Sequence, residues 1–262
     1  MKVRRVTGVY KRHFYVVLRS FPRILDMTLW PFVDLLLWGM LTVYLRHQQV
    51  HLATPLGFLL GGLLLWDIVF RTKNQVAITF LEETWSRNVI AILASPLTAA
   101  EYLTGATLWG LTVVGVGWAL IAIFAWVLFQ FGVATLGPAL VLFAVALIVF
   151  GIALSMVVLG MLLRFGFGAE IMAWALAFIV LPFSAVYYPV TVLPGWARGV
   201  AAAFPTSHVF EAMRTILAGG STPWAQLVLS FALDAVYLAA GFAFARWMFA
   251  TLRKRGYVTR YV

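Results

Sequence analysis

The chain contains no cysteine, which excludes disulfides, thiol nucleophiles and thiolate metal sites. Lysine is nearly as scarce, confined to Lys2, Lys11, Lys73 and Lys254. None of the four completes a G-x-x-x-x-G-K-[ST] loop, so the chain cannot cradle and split a nucleoside triphosphate by that route. The close pair His47 and His51 lacks the glutamate of an H-E-x-x-H site and is read as two loop histidines. Ser155, Ser184, Ser207 and Ser230 have no nucleophile-elbow context. With no reactive cluster visible, an integral membrane enzyme is the weakest of the available readings. Charge is thin too: 11% of residues are charged against 63% hydrophobic, a balance outside the soluble globular range. The ~10-residue alternation of an outer-membrane barrel is missing. What remains is a helical membrane protein.

The formal net charge of +10 is concentrated at the two ends and in one connection. That distribution follows the positive-inside bias and argues against nucleic acid as a partner. Residues 1–23 carry Lys2, Arg4, Arg5, Lys11, Arg12, Arg19 and Arg23 and no acid. Tyr10, Phe14, Val17, Leu18 and Phe21 fall on one helical face within them, which predicts an amphipathic helix lying among anionic lipid headgroups on the cytoplasmic surface. No apolar core with a small-residue cleavage site follows promptly, so no cleaved signal peptide is expected.

Apolar runs long enough to cross a bilayer, which takes about 20 helical residues, are expected over 24–45, from 55 onward, and over 103–130, 138–163, 171–188 and 224–250. Residues 189–223 are apolar but cut by Pro189, Pro194, Pro205, Gly219, Gly220 and Pro223, which predicts short helices dipping into the outer leaflet. Six spans with both termini cytoplasmic put 16 of the 19 Lys and Arg inside, leaving Arg46, Arg198 and Arg214 outside. The expected fold is thus all-α and integral to the membrane, a single permease-like domain over 1–262. No repeat relates its halves.

The stretch 79–105 is the long part of the middle that does not suit hydrocarbon. Glu82, Glu83, Arg87, Asn88 and Glu101 interrupt it, while Val89, Ile90, Ile92 and Leu93 form a helical stripe that Ser95-Pro96 ends. A short amphipathic helix over 82–97 between the second and third spans is either an interfacial lid or a docking surface for a soluble partner. Asp67 and Arg71 are spaced as a favourable i,i+4 pair in the second span. The intramembrane acids are Asp26, Asp34, Asp67 and Asp234, and Asp26, Trp30 and Asp34 share a helical face. Such groups line a substrate path, relay protons or pack helices. The sequence leaves these three open.

Two blocks carry a family resemblance. SRNVIAILASPLTAAEYLTG reads as a polar start, a helix, a small residue followed by proline, and a closing glycine. YYPVTVLPGWARGVAAAFPTSHVFEAMRTILAGG carries Pro189, Leu193, Pro194, Trp196, Pro205, Glu211 and Arg214. In this order and spacing the chain resembles the type-two ABC exporter permease family of drug, polysaccharide and lipo-oligosaccharide exporters. The resemblance implies a homodimer or heterodimer of permeases in the inner (cytoplasmic) membrane, seated on separate ATPase subunits. ATP and Mg would sit on those partners, with no cofactor in this chain. Residues 82–97 become the coupling helix, with Glu82, Glu83, Arg87, Asn88, Ile92, Ser95 and Pro96 as its contacts, and residues 1–23 the connecting helix. Pro189, Pro194, Trp196, Pro205, Glu211 and Arg214 become a re-entrant extracellular gate. Asp26, Trp30, Asp34 and Asp67 are the candidate path. The competing expectation is a proton-coupled carrier or channel built on the intramembrane aspartates.

Overall fold

The computed structural model describes residues 2–47, 57–85, 95–165 and 170–255, and among them there is no strand. The α-helices are α1 (Val3–Leu18), α2 (Phe21–His47), α3 (Gly57–Trp85), α4 (Ala99–Phe129), α5 (Ala139–Phe165), α6 (Glu170–Val180), α7 (Gly195–Ala203), α8 (Pro205–Leu217) and α9 (Trp224–Arg255). Four described stretches are long and apolar enough to cross a membrane: Phe21–Leu45, Thr104–Phe129, Ala139–Leu162 and Trp224–Met248.

The second long helix, α3, is not one of the four because it is too polar. Leu60, Leu64, Leu65, Ile68 and Val69 are buried, and so are Thr72, Lys73 and Asn74 on the same helix. A charge at the bilayer centre costs roughly 2.5–3.5 kcal/mol, whereas a leucine or valine returns only about 0.3–0.6. Asp67, Arg71 and Lys73 therefore outweigh the apolar residues around them, and α3 is stable only with other helices on every side. α2, α4 and α5 supply that cover, with α8 at its outer end.

Small residues let the covers approach. A Cβ at Gly151 of α5 would lie 2.7 Å from Thr72 Cβ on α3, and one at Gly241 of α9 would lie 2.7 Å from the Ala153 carbonyl oxygen on α5. Beside that contact Ser155 donates to the Thr72 and Lys73 carbonyls at 3.1 and 3.0 Å. Trp118 of α4 donates its indole N–H to the Leu64 carbonyl at 3.0 Å.

The observed bounds differ from two expected ones. In the span expected over 171–188 the α-helix ends at Val180, and Pro182 sits in the 3-10 turn Leu181–Ser184 that follows. The helix expected to begin at Glu82 is not separate there, because α3 runs unbroken through Glu82 and Glu83 to Trp85. At the other end, 95–98 are irregular rather than helical. Of α1, Val6, Val9 and His13 are buried against the protein, Tyr10 and Phe14 half-buried, and Leu18 exposed, as is Phe21 just beyond it. The alternation of short helices expected over 189–223 is present, as a 3-10 turn Val190–Val192 followed by α7 and α8.

The close contact of α3 and α5 gives a direct test. Gly151→Val should force the two helices apart and destabilise the chain by about 1–3 kcal/mol, the usual cost of overpacking. Gly8→Ala, in open space, should have no such effect. Thermal unfolding of the detergent-solubilised variants reads the difference.

Candidate functional site

Two charged side chains fasten irregular pieces of chain at opposite ends of the bundle, and a polar cluster lies between them. At the end of the bundle beside the N-terminus α4 begins with a capping box: the Thr98 hydroxyl accepts from the Glu101 amide at 3.2 Å, and the Glu101 carboxylate accepts from the Thr98 amide at 3.1 Å. The same carboxylate accepts from the Lys2 amide at 2.7 Å and pairs with the Arg5 guanidinium at 3.3 Å. Glu101 thus ties the first turn of α1 to the start of α4, immediately beyond 86–94. It is 2% exposed and precedes the apolar stretch Thr104–Phe129. Above it, Val6 and Val9 close on Gly105, and Tyr10 and Phe14 meet Trp109 edge-on at 5.7 and 5.9 Å. The Lys2 and Thr98 amides, aided by Arg5, hold the Glu101 carboxyl down at about 2.

At the outer end, Arg214 of α8 is 5% exposed. It donates to the carbonyls of Ala185 and Tyr188, the latter at 2.6 Å, and pairs with Glu211 at 2.9 Å. Glu211 in turn accepts from the Val190 amide at 2.6 Å. The turn 185–190 is therefore held from both sides by one Glu-x-x-Arg pair. Ala185 needs holding: its φ of 56° is left-handed, disfavoured for any residue with a Cβ. The guanidinium also lies over the Phe58 ring at 4.1 Å, which joins this clamp to the first turn of α3. One turn on, Gly62 brings α3 so close to the turn that a Cβ there would sit 2.7 Å from the Val186 carbonyl oxygen.

The remaining outer residues have clear local roles. Pro194 precedes α7, and Pro205 opens α8 and accepts from the Ser230 hydroxyl at 3.1 Å. Pro189 flanks the clamped turn. Trp196 is 70% exposed, with one edge toward Phe183 at 6.1 Å. Arg198 fastens the 3-10 turn through the Thr191 and Leu193 carbonyls at 2.6 and 2.7 Å.

Between the clamps, Asp67 and Arg71 form the expected pair at 2.6 Å, both largely buried. Asp34 lies on the exposed side of α2, with Trp30 one turn away. The Asp26 side chain is outside the described residues. Asp34 is within electrostatic reach of Arg71, Asp67 and Tyr187. Of the expected docking contacts, Arg87, Asn88 and Ile92 lie outside the described residues, as do the side chains of Glu82 and Glu83. Ser95 accepts from the Leu97 amide at 3.3 Å, and Pro96 is exposed.

This geometry can be set beside known families. The family model for the ABC-2 type transporter matches residues 6–218, from the first turns of α1 to the end of α8. The chain belongs to the ABC-2 type transporter family. None of the curated proteins compared with it matches. As an ABC-2 membrane domain it is a multi-pass transport subunit rather than an enzyme, of a family that associates with an ABC-type ATPase subunit. The matched region contains Glu101, the Arg214 clamp and the polar cluster, while Lys2 and Arg5, the partners of Glu101, lie just before it, and it stops where α9 has yet to begin. Phe58, Trp38 and Tyr187 were not singled out in the sequence, and Glu101 was named there only as a polar interruption of 79–105. For Glu101 the T-x-x-E capping pattern after Ser95-Pro96 was the signal that could have found it.

Two outcomes follow for this ABC-2 subunit. Replacing Arg214 by Leu frees the Ala185 and Tyr188 carbonyls and leaves Glu211 unpaired. The turn 185–190 should then exchange its amides at least tenfold faster, on the basis of about 1.5–3 kcal/mol for a hydrogen bond to a charged group. Ala185→Gly should exchange as wild type or slower. At the other clamp, a carboxyl depressed in the folded chain stabilises it above the ordinary value near 4.5 and loses that contribution as pH falls toward 2. The protection of the α1 amides, taken relative to their pH-dependent intrinsic exchange rates, should therefore be flat from pH 5 to 8 and fall only below about 4.5, and Glu101→Ala should lower it at every pH above that.

Proposed function

We propose that the chain is the permease subunit of an ATP-driven exporter, forming the substrate path as a dimer in the inner membrane with both termini cytoplasmic. The observation that carries this is the course of α3. It is largely buried from Phe58 to Asn74, tied at its first turns to the clamped turn through Phe58 and Gly62, and leads in sequence into the polar stretch 86–94. A helix of 29 residues is about 43 Å long, enough to carry a displacement from a cytoplasmic docking stretch to the outer leaflet. Residues 82–97 then serve as the coupling segment, and ATP and Mg²⁺ stay on the partner ATPase. In this proposal α3 and α6 with its 3-10 extension complete six crossings, the turn and short helices of 189–223 are re-entrant, and the whole of 1–262 acts as one domain. Glu101 sets α1 against the far side of the coupling segment, so the segment is held at both ends. The apolar side of α1 away from α4, with Leu18 and Phe21 exposed, suits contact with lipid.

A second reading is supported by one residue. Asp234 of α9 is 1% exposed and neither of its carboxyl oxygens has a hydrogen-bond partner. An orphaned acid of that kind in a membrane helix suits a proton-coupled carrier. Transport that is driven by a pH gradient and survives ATP depletion would favour it.

The exporter reading is tested at the coupling segment. Glu82→Arg, Glu83→Arg or Arg87→Glu should leave membrane abundance and ATP hydrolysis in place while lowering export at least tenfold. Export at the wild-type rate, measured at equal abundance, would count against docking there.

A further inference from the structure

The exposed side of α2 is apolar except at its centre. Trp30, Leu37, Leu41 and Tyr44 follow one another at helical spacing, and Asp34 stands among them near mid-helix. Asp34 has no hydrogen bond and no ion pair within 4.0 Å among the described residues. Its nearest balancing charge, Arg71, is already committed to Asp67 at 2.6 Å, so the cluster keeps one net negative charge. Directly above, one turn along α2, Trp38 stacks on Tyr187 with centroids 4.2 Å apart and planes 12° from parallel. Tyr187 belongs to the turn that Glu211 and Arg214 hold. The cluster is thus roofed by an aromatic pair drawn from two separate elements.

Three occupants compete for this side of α2. Lipid would leave a carboxylate in hydrocarbon at a cost of several kcal/mol. A second copy whose two-fold axis passed through this patch would set Asp34 near Asp34 in a dry seam, like charge against like. A ligand with a positive charge and an apolar body meets every feature: its charge at Asp34, its body along the stripe, its upper face against the aromatic pair.

We propose that Asp34, flanked by Trp30 and Leu37 and roofed by Trp38 and Tyr187, is the binding site for an amphipathic cation. The proposal rests on the exporter reading for its purpose and names the class of substrate. Asp34 supplies the counter-charge, Arg71 and Asp67 hold that carboxylate in a polar setting, and the Trp38–Tyr187 pair closes the outer side.

The probe is tetraphenylphosphonium, measured by equilibrium binding to the purified chain in nanodiscs of zwitterionic lipid. Saturable binding is expected, weakened about tenfold in Asp34→Asn, the effect of losing one charge-assisted contact. Trp38→Ala should weaken it comparably, and neither neutral triphenylphosphine oxide nor a neutral oligosaccharide should displace the cation. Wild-type affinity in both variants, or equal binding of the neutral oxide, would overturn the site. Displacement by the oligosaccharide would reassign it to a glycan. The cysteine-free chain adds a check: Asp34→Cys should not form a disulfide between copies, and rapid formation would mean a second copy covers this side of α2. Asp34→Asn is nearly isosteric, so its result stands if Trp38→Ala fails to fold. Because the chain is assayed alone, loss of binding removes the site without touching the exporter reading. Failure of nucleotide-driven transport does the reverse.

Discussion

Hydrocarbon cannot solvate α3, and the arrangement of the other helices answers to that. Asp67, Arg71, Lys73 and Asn74 occupy two turns of α3, and their combined cost in hydrocarbon would exceed what its leucines return. They are buried inside protein, with α5 and α4 on two sides, α2 on a third and α8 across the end that carries Phe58. The apolar helices α4 and α9 leave apolar side chains on the surface, while Asp234 of α9 is turned inward. Their exposed Val116, Ile123, Val228 and Phe242 are ordinary for surfaces in lipid.

The same economy operates at the ends of the bundle. Backbone amides and carbonyls left over by irregular chain must find partners. Here a charged side chain provides several at once. Glu101 accepts from two amides and a guanidinium, and Arg214 donates to two carbonyls while facing Glu211. Each clamp joins pieces distant in sequence, α1 to α4 and α8 to the turn 185–190.

Local chemistry was legible in the sequence, and distant pairing was not. The Asp67–Arg71 pair, the break at Ser95-Pro96 and the short helices of 189–223 follow from spacing and proline alone. The family signature in Glu211 and Arg214 was legible as a motif, but its role as a clamp was not, since the carbonyls it binds lie 26 and 29 residues away. Glu101 to Lys2 spans 99 residues, and Trp38 to Tyr187 still more. The stripe on α1 marks an apolar face without saying which side of the helix packs on protein. α4 takes the side of Val6 and Val9, where Gly105 permits close approach. The end of α6 at Val180 was hidden by continuous apolar residues up to Pro182, which hydropathy reads as one span.

Relative strengths decide which contact yields first when the outer side opens. An aromatic pair contributes about 0.5–1.5 kcal/mol beyond its burial. The Arg214 clamp combines charge-assisted bonds of about 1.5–3 kcal/mol each with a cation–π contact to Phe58. The Trp38–Tyr187 seam is therefore the weak joint, and the turn 185–190 travels with α8 and the outer end of α3 as one body. Under the coupling proposal, a displacement of α3 that reached Phe58 and Gly62 would part Tyr187 from Trp38 before it loosened Arg214. Parting there would uncover Asp34 from one side and leave the Asp67–Arg71 pair closed.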